Sequence, residues 1–160
     1  MEIRVLNRDE GVEFIQAIIE PFDFSKEKHA IVIRNFENES KEIDNNRIFF
    51  IGSRGNIPVS TVQLILNNAD NDPELANGFD TAHIHNLWVR KDQHRRGLAE
   101  KIMLEVESYA KTQGLKILTL GVDDYNSPAI SLYTKLGYSI FKEVEGRTPQ
   151  EKLFLMRKAL

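Results

Sequence analysis

The stretch AHIHNLWVRKDQHRRGLAEKIM, residues Ala82–Met103, begins with the pattern of a strand and ends with that of an amphipathic helix. His83 and His85 stand two apart in the strand part, so both side chains are expected on one face. Apolar residues then recur every three or four positions over 97–113, and Gly114 follows as a C′ glycine. The sequence therefore predicts a strand, a short turn and a helix.

The turn between this strand and this helix is basic. A helix that begins directly after a turn leaves its first N–H groups without intrahelical partners, and its dipole adds partial positive charge there. Small residues at Gly97 and Ala99 would let a ligand approach the backbone closely. These features favour a phosphate or pyrophosphate, although a solvated run of charge gives the same pattern. The basic residues are Arg90, Lys91, His94, Arg95 and Arg96.

The segments that precede the stretch alternate between strand-like and helix-like patterns. Three are typical of strands, with a tight RGNI turn between the last two: EIRVLN (2–7), RIFFIGS (47–53) and PVSTVQLILN (58–67). Two indicate helices, the first with Asp9 as a plausible N-cap: EGVEFIQAIIEPF (10–22) and SKEKHAIVIRNFEN (25–38). The polar segment NADNDPELANGFD (68–80) is predicted to be an exposed loop.

The segments after the stretch complete the predicted sheet. KILTLGV (116–122) is nearly continuous in apolar residues, as expected for a buried central strand. NSPAISLYTKLGY (126–138) predicts a helix with Ser127 as N-cap, Pro128 at the first position and Gly137 as terminator. Two last strands follow, YSIFKEV (138–144) and EKLFLMRKAL (151–160). The order predicts a layered α/β domain with a partly antiparallel sheet, and 160 residues favour a single domain over 1–160.

The composition narrows the class of protein. A net charge of −3 argues against a protein that coats nucleic acid or an anionic membrane. Without cysteine there is no disulfide framework, thiolate metal site or cysteine nucleophile, which is compatible with a reducing cytosol. Asp70–Asp72 begins like a calcium loop, but Pro73 breaks the spacing and no metal is predicted. We therefore expect a cytoplasmic protein that binds neither nucleic acid nor membrane.

Two motifs resemble a known family. VRKDQHRRGLAEKIM (89–103) resembles the acetyl-CoA pyrophosphate loop of the GNAT superfamily of N-acetyltransferases, whose pattern is Gln/Arg-x-x-Gly-x-Gly/Ala. Gly97 and Ala99 match that pattern, whereas His94 stands in the Gln/Arg position. NSPAISLYTKLGY is similar to the second signature of the same superfamily, an asparagine and a small residue followed by Leu-Tyr-x-Lys-x-Gly-Phe/Tyr. The spacing between the motifs also fits.

The resemblance implies a fold, a cofactor and its binding residues. The fold would be a three-layer α/β domain with a mixed, mostly antiparallel central sheet flanked by helices. Acetyl-CoA would be the cofactor. The residues implied to hold it are Leu87, Trp88 and Val89 at a strand edge, His94, Arg95, Arg96, Gly97, Leu98 and Ala99 in the turn, and Asn126 and Tyr133 further along the chain.

The resemblance also implies the chemistry. Acetyl transfer to an amine calls for a base, because the amine arrives protonated, and for an acid that assists the departing thiolate. His83 and His85 are similar to the His-x-His of the arylalkylamine branch, where the pair relays the proton of the amine, and Tyr133 would be the acid. Each of the three could instead be a structural or core residue. Asp123 and Asp124 are reserve candidates for the base.

The predicted function is direct transfer of the acetyl group of acetyl-CoA to a primary amine of a small molecule or peptide. The alternative is a non-catalytic acyl-CoA-binding or sensory module that uses the same turn. The implied partners are acetyl-CoA and the amine acceptor, and a homodimer stays open because dimers are common in the superfamily. The sequence does not identify the acceptor.

Overall fold

The computed structural model describes residues 1–160 and contains seven strands and four α-helices. The strands are β1 (Glu2–Val5), β2 (Arg47–Arg54), β3 (Ile57–Ile65), β4 (Thr81–Val89), β5 (Ile117–Asp123), β6 (Ser139–Glu145) and β7 (Lys152–Ala159). The helices are α1 (Phe14–Ile19), α2 (Lys26–Ser40), α3 (Leu98–Thr112) and α4 (Ser127–Lys135). No helix combines the length and the apolar character that crossing a membrane requires.

The strands form one mixed sheet in the order β1-β2-β3-β4-β5-β7-β6. β4 and β5 are parallel, whereas β1 with β2, β5 with β7, and β6 with β7 are antiparallel. The predicted fold class, a mixed and mostly antiparallel sheet flanked by helices, is confirmed. By backbone contacts the chain divides into two compact units, one comprising Met1–Leu64 and Asn86–Val106, the other Ile65–His85 and Glu107–Leu160. The single domain over 1–160 stays a prediction.

In the first unit, α1 and α2 pack on a core that also includes residues of β2. The predicted second helix is confirmed as α2, and its N-cap Ser25 accepts a hydrogen bond from the Lys28 N–H at 3.1 Å. The apolar stripe of α1 is buried as predicted. The buried members of this core are Leu6, Val12, Ile15, Ile18, Ile19, Phe36, Ile43, Phe49 and Ile51.

The prediction that Asp9 caps the first helix is wrong. The helix begins at Phe14 and its N-cap is Glu13. The residues before it form a turn, because the Glu10 carboxylate accepts from the Asn7 N–H at 2.8 Å and from the Arg4 guanidinium at 2.9 Å. Val12 is still buried, so the apolar stripe extends beyond the helix itself.

In the second unit, β5 is the buried central strand that the sequence predicts. Its registered pairs with β4 run from Thr81 with Ile117 to Ile84 with Leu120, and its other edge pairs with β7 over its whole length. The prediction that the polar loop before β4 is exposed is wrong for part of the loop. Its Ala69, Leu75 and Ala76 are buried in a small core with Ile65 and Leu155. The few apolar residues of this otherwise polar segment form the surface that packs on the core.

The prediction that Ser127 caps α4 is also wrong. The N-cap is Asn126, whose side-chain oxygen accepts from the Ala129 N–H at 3.3 Å. Both residue types are strong N-caps, so the sequence leaves the choice between neighbours open. Ser127 becomes the first helical residue, and Gly137, with φ of 96°, follows the helix as predicted.

β4 contains an irregularity just after its last registered pair with β5. Asn86 has a left-handed backbone with φ of 51°, which is uncommon inside a strand. Its side-chain amide donates to both carboxylate oxygens of Glu39 on α2, each at 3.0 Å. Gln63 of β3 donates to the same carboxylate. These bonds fix the place where the second half of β4 begins.

Candidate active site

The turn before α3 has one left-handed residue on each side of Arg96. Arg95 has φ of 60° and Gly97 has φ of 72°. The Gly97 carbonyl accepts from the Lys101 N–H at 3.0 Å, so the helical hydrogen bonding starts at Gly97. N–H groups of the first helical turn have no intrahelical acceptor, and such turns form concavities that bind anions. A Cβ at Gly97 would meet no atom within 4 Å, so the backbone angle and not crowding calls for glycine.

The basic side chains around this turn divide into two groups. Arg90 is committed to the fold, because its guanidinium donates to the Ala17 carbonyl at 2.6 Å and to the Asp92 carboxylate at 2.9 Å. The hydrogen bond that Arg90 donates to Asp92 is the main reason why the pKa of Arg90 is raised. Arg95 and Arg96 are exposed and lie where the α3 amides begin. These two therefore supply the cationic side chains that an anion at the turn would meet.

His94, which stands in the Gln/Arg position of the motif, is directed back toward β4. Its Nε2 lies 2.8 Å from the Val89 carbonyl oxygen, and since a carbonyl only accepts, Nε2 carries the proton. Its ring also contacts Phe22 edge-on, with 5.9 Å between centroids. The side chain thus ties the turn to the end of the strand. Its contact with the cofactor stays a prediction.

The end of β4, Leu87–Val89, is half-buried. The Trp88 ring packs edge-on against Phe22 and Phe24, at centroid distances of 5.7 and 6.1 Å. The side chain of Trp88 is thus anchored in the first unit, next to its core. Anchoring of the side chain leaves the backbone of the strand as the part that could pair with a ligand.

The two histidines lie on the same strand with their ring centroids 6.5 Å apart. His83 is buried, at 4% exposure, whereas His85 is half-buried. His83 Nδ1 is 2.8 Å from the Thr119 hydroxyl oxygen, and this hydroxyl donates to the Leu75 carbonyl at 2.7 Å. Sequence reasoning missed Thr119. The feature that could have indicated it is a single hydroxyl residue in the otherwise apolar run of β5.

Tyr133 lies on α4 and is buried, at 7% exposure. Burial raises the pKa of its phenol to about 12. Its ring contacts that of Tyr138 edge-on at 6.2 Å. The raised pKa keeps the hydroxyl protonated throughout the neutral range, so Tyr133 is a hydrogen-bond donor at any pH at which an enzyme of this kind would work.

Asp123, a reserve candidate for the base, is engaged with a neighbouring side chain. Its carboxylate accepts from the Tyr125 hydroxyl at 3.1 Å, and this hydrogen bond is the main cause of the raised pKa of Tyr125. Asp124 is held through its backbone N–H, which donates to the Lys152 carbonyl at 3.0 Å. Both carboxylates stay reserve candidates for the base.

Comparison with known families decides the class of protein. The profile of the acetyltransferase (GNAT) family matches residues 12–138. The chain belongs to this family. GNAT enzymes use acetyl-CoA, and solved neighbours contain coenzyme A. The turn at Arg95–Gly97 has left-handed backbone and two exposed arginines, features that favour an anion, and its role in holding the diphosphate stays a prediction.

Individual relatives are distant. The L-methionine sulfoximine/L-methionine sulfone acetyltransferase of Pseudomonas aeruginosa is 30% identical over 73 residues, which are 46% of this chain and 40% of that protein. The thialysine N-epsilon-acetyltransferase of Caenorhabditis elegans is 26% identical over 151 residues, covering 91% of this chain and 87% of the relative. The PaiA N-acetyltransferase of Thermoplasma acidophilum, solved with coenzyme A, has a TM-score of 0.69 at 19% identity and full coverage of both chains.

The matched stretch thus spans two fifths of the Pseudomonas relative, and the solved neighbour shows the fold alone. Within the GNAT fold, the structure places the predicted residues Leu87–Val89 and His94–Ala99 in the first unit. His83, His85, Asn126 and Tyr133 belong to the second. The binding and catalytic roles of all these residues stay predictions.

The buried Tyr133 leads to a prediction for stability at high pH. In the unfolded chain its phenol ionises near pH 10, whereas in the fold the pKa is about 12. Between these values the unfolded state binds fewer protons than the folded state, so stability present below pH 10 is lost as the pH rises. The loss is about 1.4 kcal/mol per pH unit over this window.

Replacement of Tyr133 by phenylalanine removes this contribution. We expect the free energy of unfolding in urea to fall less between pH 9 and pH 11 in Tyr133→Phe than in the original protein, by roughly 1 kcal/mol. Tyr138, whose pKa is raised mainly by burial, remains in both proteins, so that main contribution is common to the two. An identical pH dependence for the two proteins would contradict the raised pKa.

Proposed function

We propose that this GNAT protein transfers the acetyl group of acetyl-CoA directly to a primary amine of a small molecule or peptide. The observation that carries the proposal is the histidine pair on β4, in which His83 is buried and hydrogen-bonded and His85 is half-buried, with 6.5 Å between the ring centroids. A module that only binds acyl-CoA has no need of a base. The absence of cysteine disfavours a thiol intermediate, in agreement with direct transfer.

The residues of the turn and of the end of β4 would hold the cofactor. Amides of Arg95–Ala99 would donate to the diphosphate, and the arginine side chains of the turn would balance its charge. The edge of β4 at Leu87–Val89 would pair with the pantetheine arm as an added strand would. Asn126 uses its carbonyl oxygen to cap α4, which leaves its amide hydrogens for a ligand. Bound acetyl-CoA supplies the thioester from which the acetyl group is taken.

The remaining chemistry is movement of protons by residues of the second unit. An alkyl amine has a pKa of about 10 and must lose a proton before it can attack. His85 is the more exposed of the pair and would receive that proton, with the neighbouring His83 as the second acceptor. The proton would then pass to solvent.

Tyr133 would donate a hydrogen bond to the sulfur as negative charge develops there. A thiol has a pKa of about 8.5, well below the value of about 12 for Tyr133, so complete transfer of the phenolic proton is uphill. The difference between these pKa values therefore favours a strong hydrogen bond over a completed proton transfer. In either form the hydroxyl, and not only the ring, is required.

Two relatives support a small acceptor. Both are named for acetylating amino-acid derivatives, L-methionine sulfoximine or sulfone in one case and thialysine in the other. We infer an acceptor of this class, a small molecule with a free amino group. That residues 1–160 form one acetyl-CoA-binding domain is part of the proposal. A cytoplasmic location and a homodimer stay predictions from the sequence.

The test is release of free CoA thiol from acetyl-CoA across a panel of amino acids, polyamines, aminoglycosides, arylalkylamines and peptides. We expect release that depends on the added amine, with mass spectrometry showing an acetylated amine as product. Binding of acetyl-CoA without release for any amine would overturn the proposal in favour of an acyl-CoA-binding module. Acetylation of a hydroxyl in place of an amine would overturn only its N-acetyl part.

A further inference from the structure

His83 and Thr119 are register partners across the parallel β4–β5 pair, with side chains on the same face of the sheet. Both are buried, His83 at 4% and Thr119 at 1% exposure. The Thr119 hydroxyl lies between two groups, 2.8 Å from His83 Nδ1 and 2.7 Å from the Leu75 carbonyl oxygen. Both distances are those of ordinary hydrogen bonds.

The single hydrogen of this hydroxyl can serve only one of the two bonds. The Leu75 carbonyl has no hydrogen to give, so Thr119 must donate to it. Toward His83 the hydroxyl therefore presents a lone pair. A bond between His83 Nδ1 and that lone pair requires a hydrogen on Nδ1.

The donor and acceptor roles in these two hydrogen bonds fix the tautomer of the neutral imidazole. With its one hydrogen on Nδ1, the ring carries its lone pair on Nε2. The opposite tautomer would set the Nδ1 lone pair against that of the Thr119 oxygen in a buried place, where water cannot relieve the conflict. The hydroxyl is thus more than a packing group.

We propose that Thr119 is a positioning residue that holds His83 in the Nδ1–H tautomer, so that Nε2 is the atom that accepts a proton. The catalytic consequence rests on the proposed function, in which the histidine pair removes the proton of the amine. The tautomer itself does not depend on it. The substrate class addressed is any amine that reaches the enzyme as its ammonium ion.

The third member of the chain comes from the loop before β4. The Leu75 side chain is buried at 3% exposure, and its N–H donates to the Asp72 carbonyl at 3.1 Å, so the position of its carbonyl is fixed. This gives the partly buried loop a second purpose. The loop conformation places the Leu75 carbonyl where it accepts the hydrogen of the Thr119 hydroxyl.

A spectroscopic experiment tests the tautomer without any assay of activity. Long-range ¹H–¹⁵N correlation of the protein labelled with ¹⁵N-histidine distinguishes a protonated from an unprotonated ring nitrogen. The His83 signals are assigned by their loss in His83→Gln, and spectra are taken where the ring is neutral. We expect a protonated Nδ1 and an unprotonated Nε2. A hydrogen on Nε2 of the neutral ring would overturn the proposal.

Two variants of Thr119 test the cause. Thr119→Val keeps the shape and removes the hydroxyl, so we expect His83 to lose its fixed Nδ1–H tautomer. Thr119→Ser restores the hydroxyl and should restore the tautomer. His29 and His94 serve as internal controls in the same spectra, since their tautomers should not change. A valine variant with an unchanged His83 tautomer would show that another group sets it.

Kinetics test the consequence. We expect Thr119→Val to lower kcat by roughly 10- to 100-fold, less than complete loss of a general base, with little change in the KM for acetyl-CoA. Thr119→Ser should return kcat to within about threefold of the original. If the tautomer changes but kcat does not, the positioning role is overturned. If no amine is acetylated by the original protein, the proposed function fails while the spectra still decide the tautomer.

Discussion

Tyr133→Phe is expected to lower kcat for amine acetylation by roughly 10²- to 10⁴-fold, the range typical of a lost acid–base group. The hydroxyl is buried and its pKa of about 12 keeps it protonated, so the phenol is a permanent donor that phenylalanine cannot replace. The ring and its edge-on contact with Tyr138 remain. Affinity for acetyl-CoA should therefore change by less than about threefold, since the effect is confined to the transition state.

Tyr138→Phe is the matched control for this prediction. Tyr138 is a buried tyrosine five residues further along, and its hydroxyl has no proposed role in cofactor binding or proton transfer. Its replacement should therefore leave kcat within about twofold of the original. Steady-state kinetics and calorimetric titration with acetyl-CoA measure both variants. Equal activity of Tyr133→Phe and the original protein would remove the hydroxyl from the mechanism.

The second large effect is expected for Gly97→Ala, which should weaken acetyl-CoA binding by about tenfold or more, corresponding to at least ~1.4 kcal/mol. Gly97 has φ of 72°, and an L-residue resists this conformation at a cost of about 1–2 kcal/mol. Relaxation of that strain would turn the first amides of α3 away from the diphosphate. The added methyl would also stand where a ligand must approach the backbone.

Gly114→Ala separates loss of binding from loss of stability. Gly114 follows the other end of the same helix with φ of 79°, and a Cβ there would likewise meet no atom within 4 Å. Both variants should thus lose similar stability in urea unfolding. Only Gly97→Ala should raise the Kd for acetyl-CoA in calorimetric titration. Similar Kd values for the two variants would contradict a cofactor site at this turn.

The parts of the fold that could be predicted are those with a strong period or a restrictive backbone. The apolar stripe of α3 and the positive φ of Gly114 gave both ends of that helix to within a residue or two. The continuous apolar run of β5 likewise predicts a strand buried between two neighbours. In each case local sequence and tertiary packing favour the same structure.

The parts that could not be predicted depend on contacts between distant segments. Nothing near Leu75 indicates that the polar loop packs against Leu155 of β7. The contact of Thr119 with His83 joins residues 36 positions apart in the sequence, so predicting it requires the register of their two strands. For the site, the motifs predict the turn and Tyr133, but they contain no information on which nitrogen of His83 carries the hydrogen.

The hydrogen bonds of Arg90 join three elements of the first unit. Its backbone N–H donates to the Val59 carbonyl of β3, and its guanidinium reaches the Ala17 carbonyl of α1. A turn that is tied in this way cannot become more rigid alone. When a ligand orders it, slower amide exchange should spread along these bonds into α1, so cofactor occupancy would be felt as rigidity in that helix.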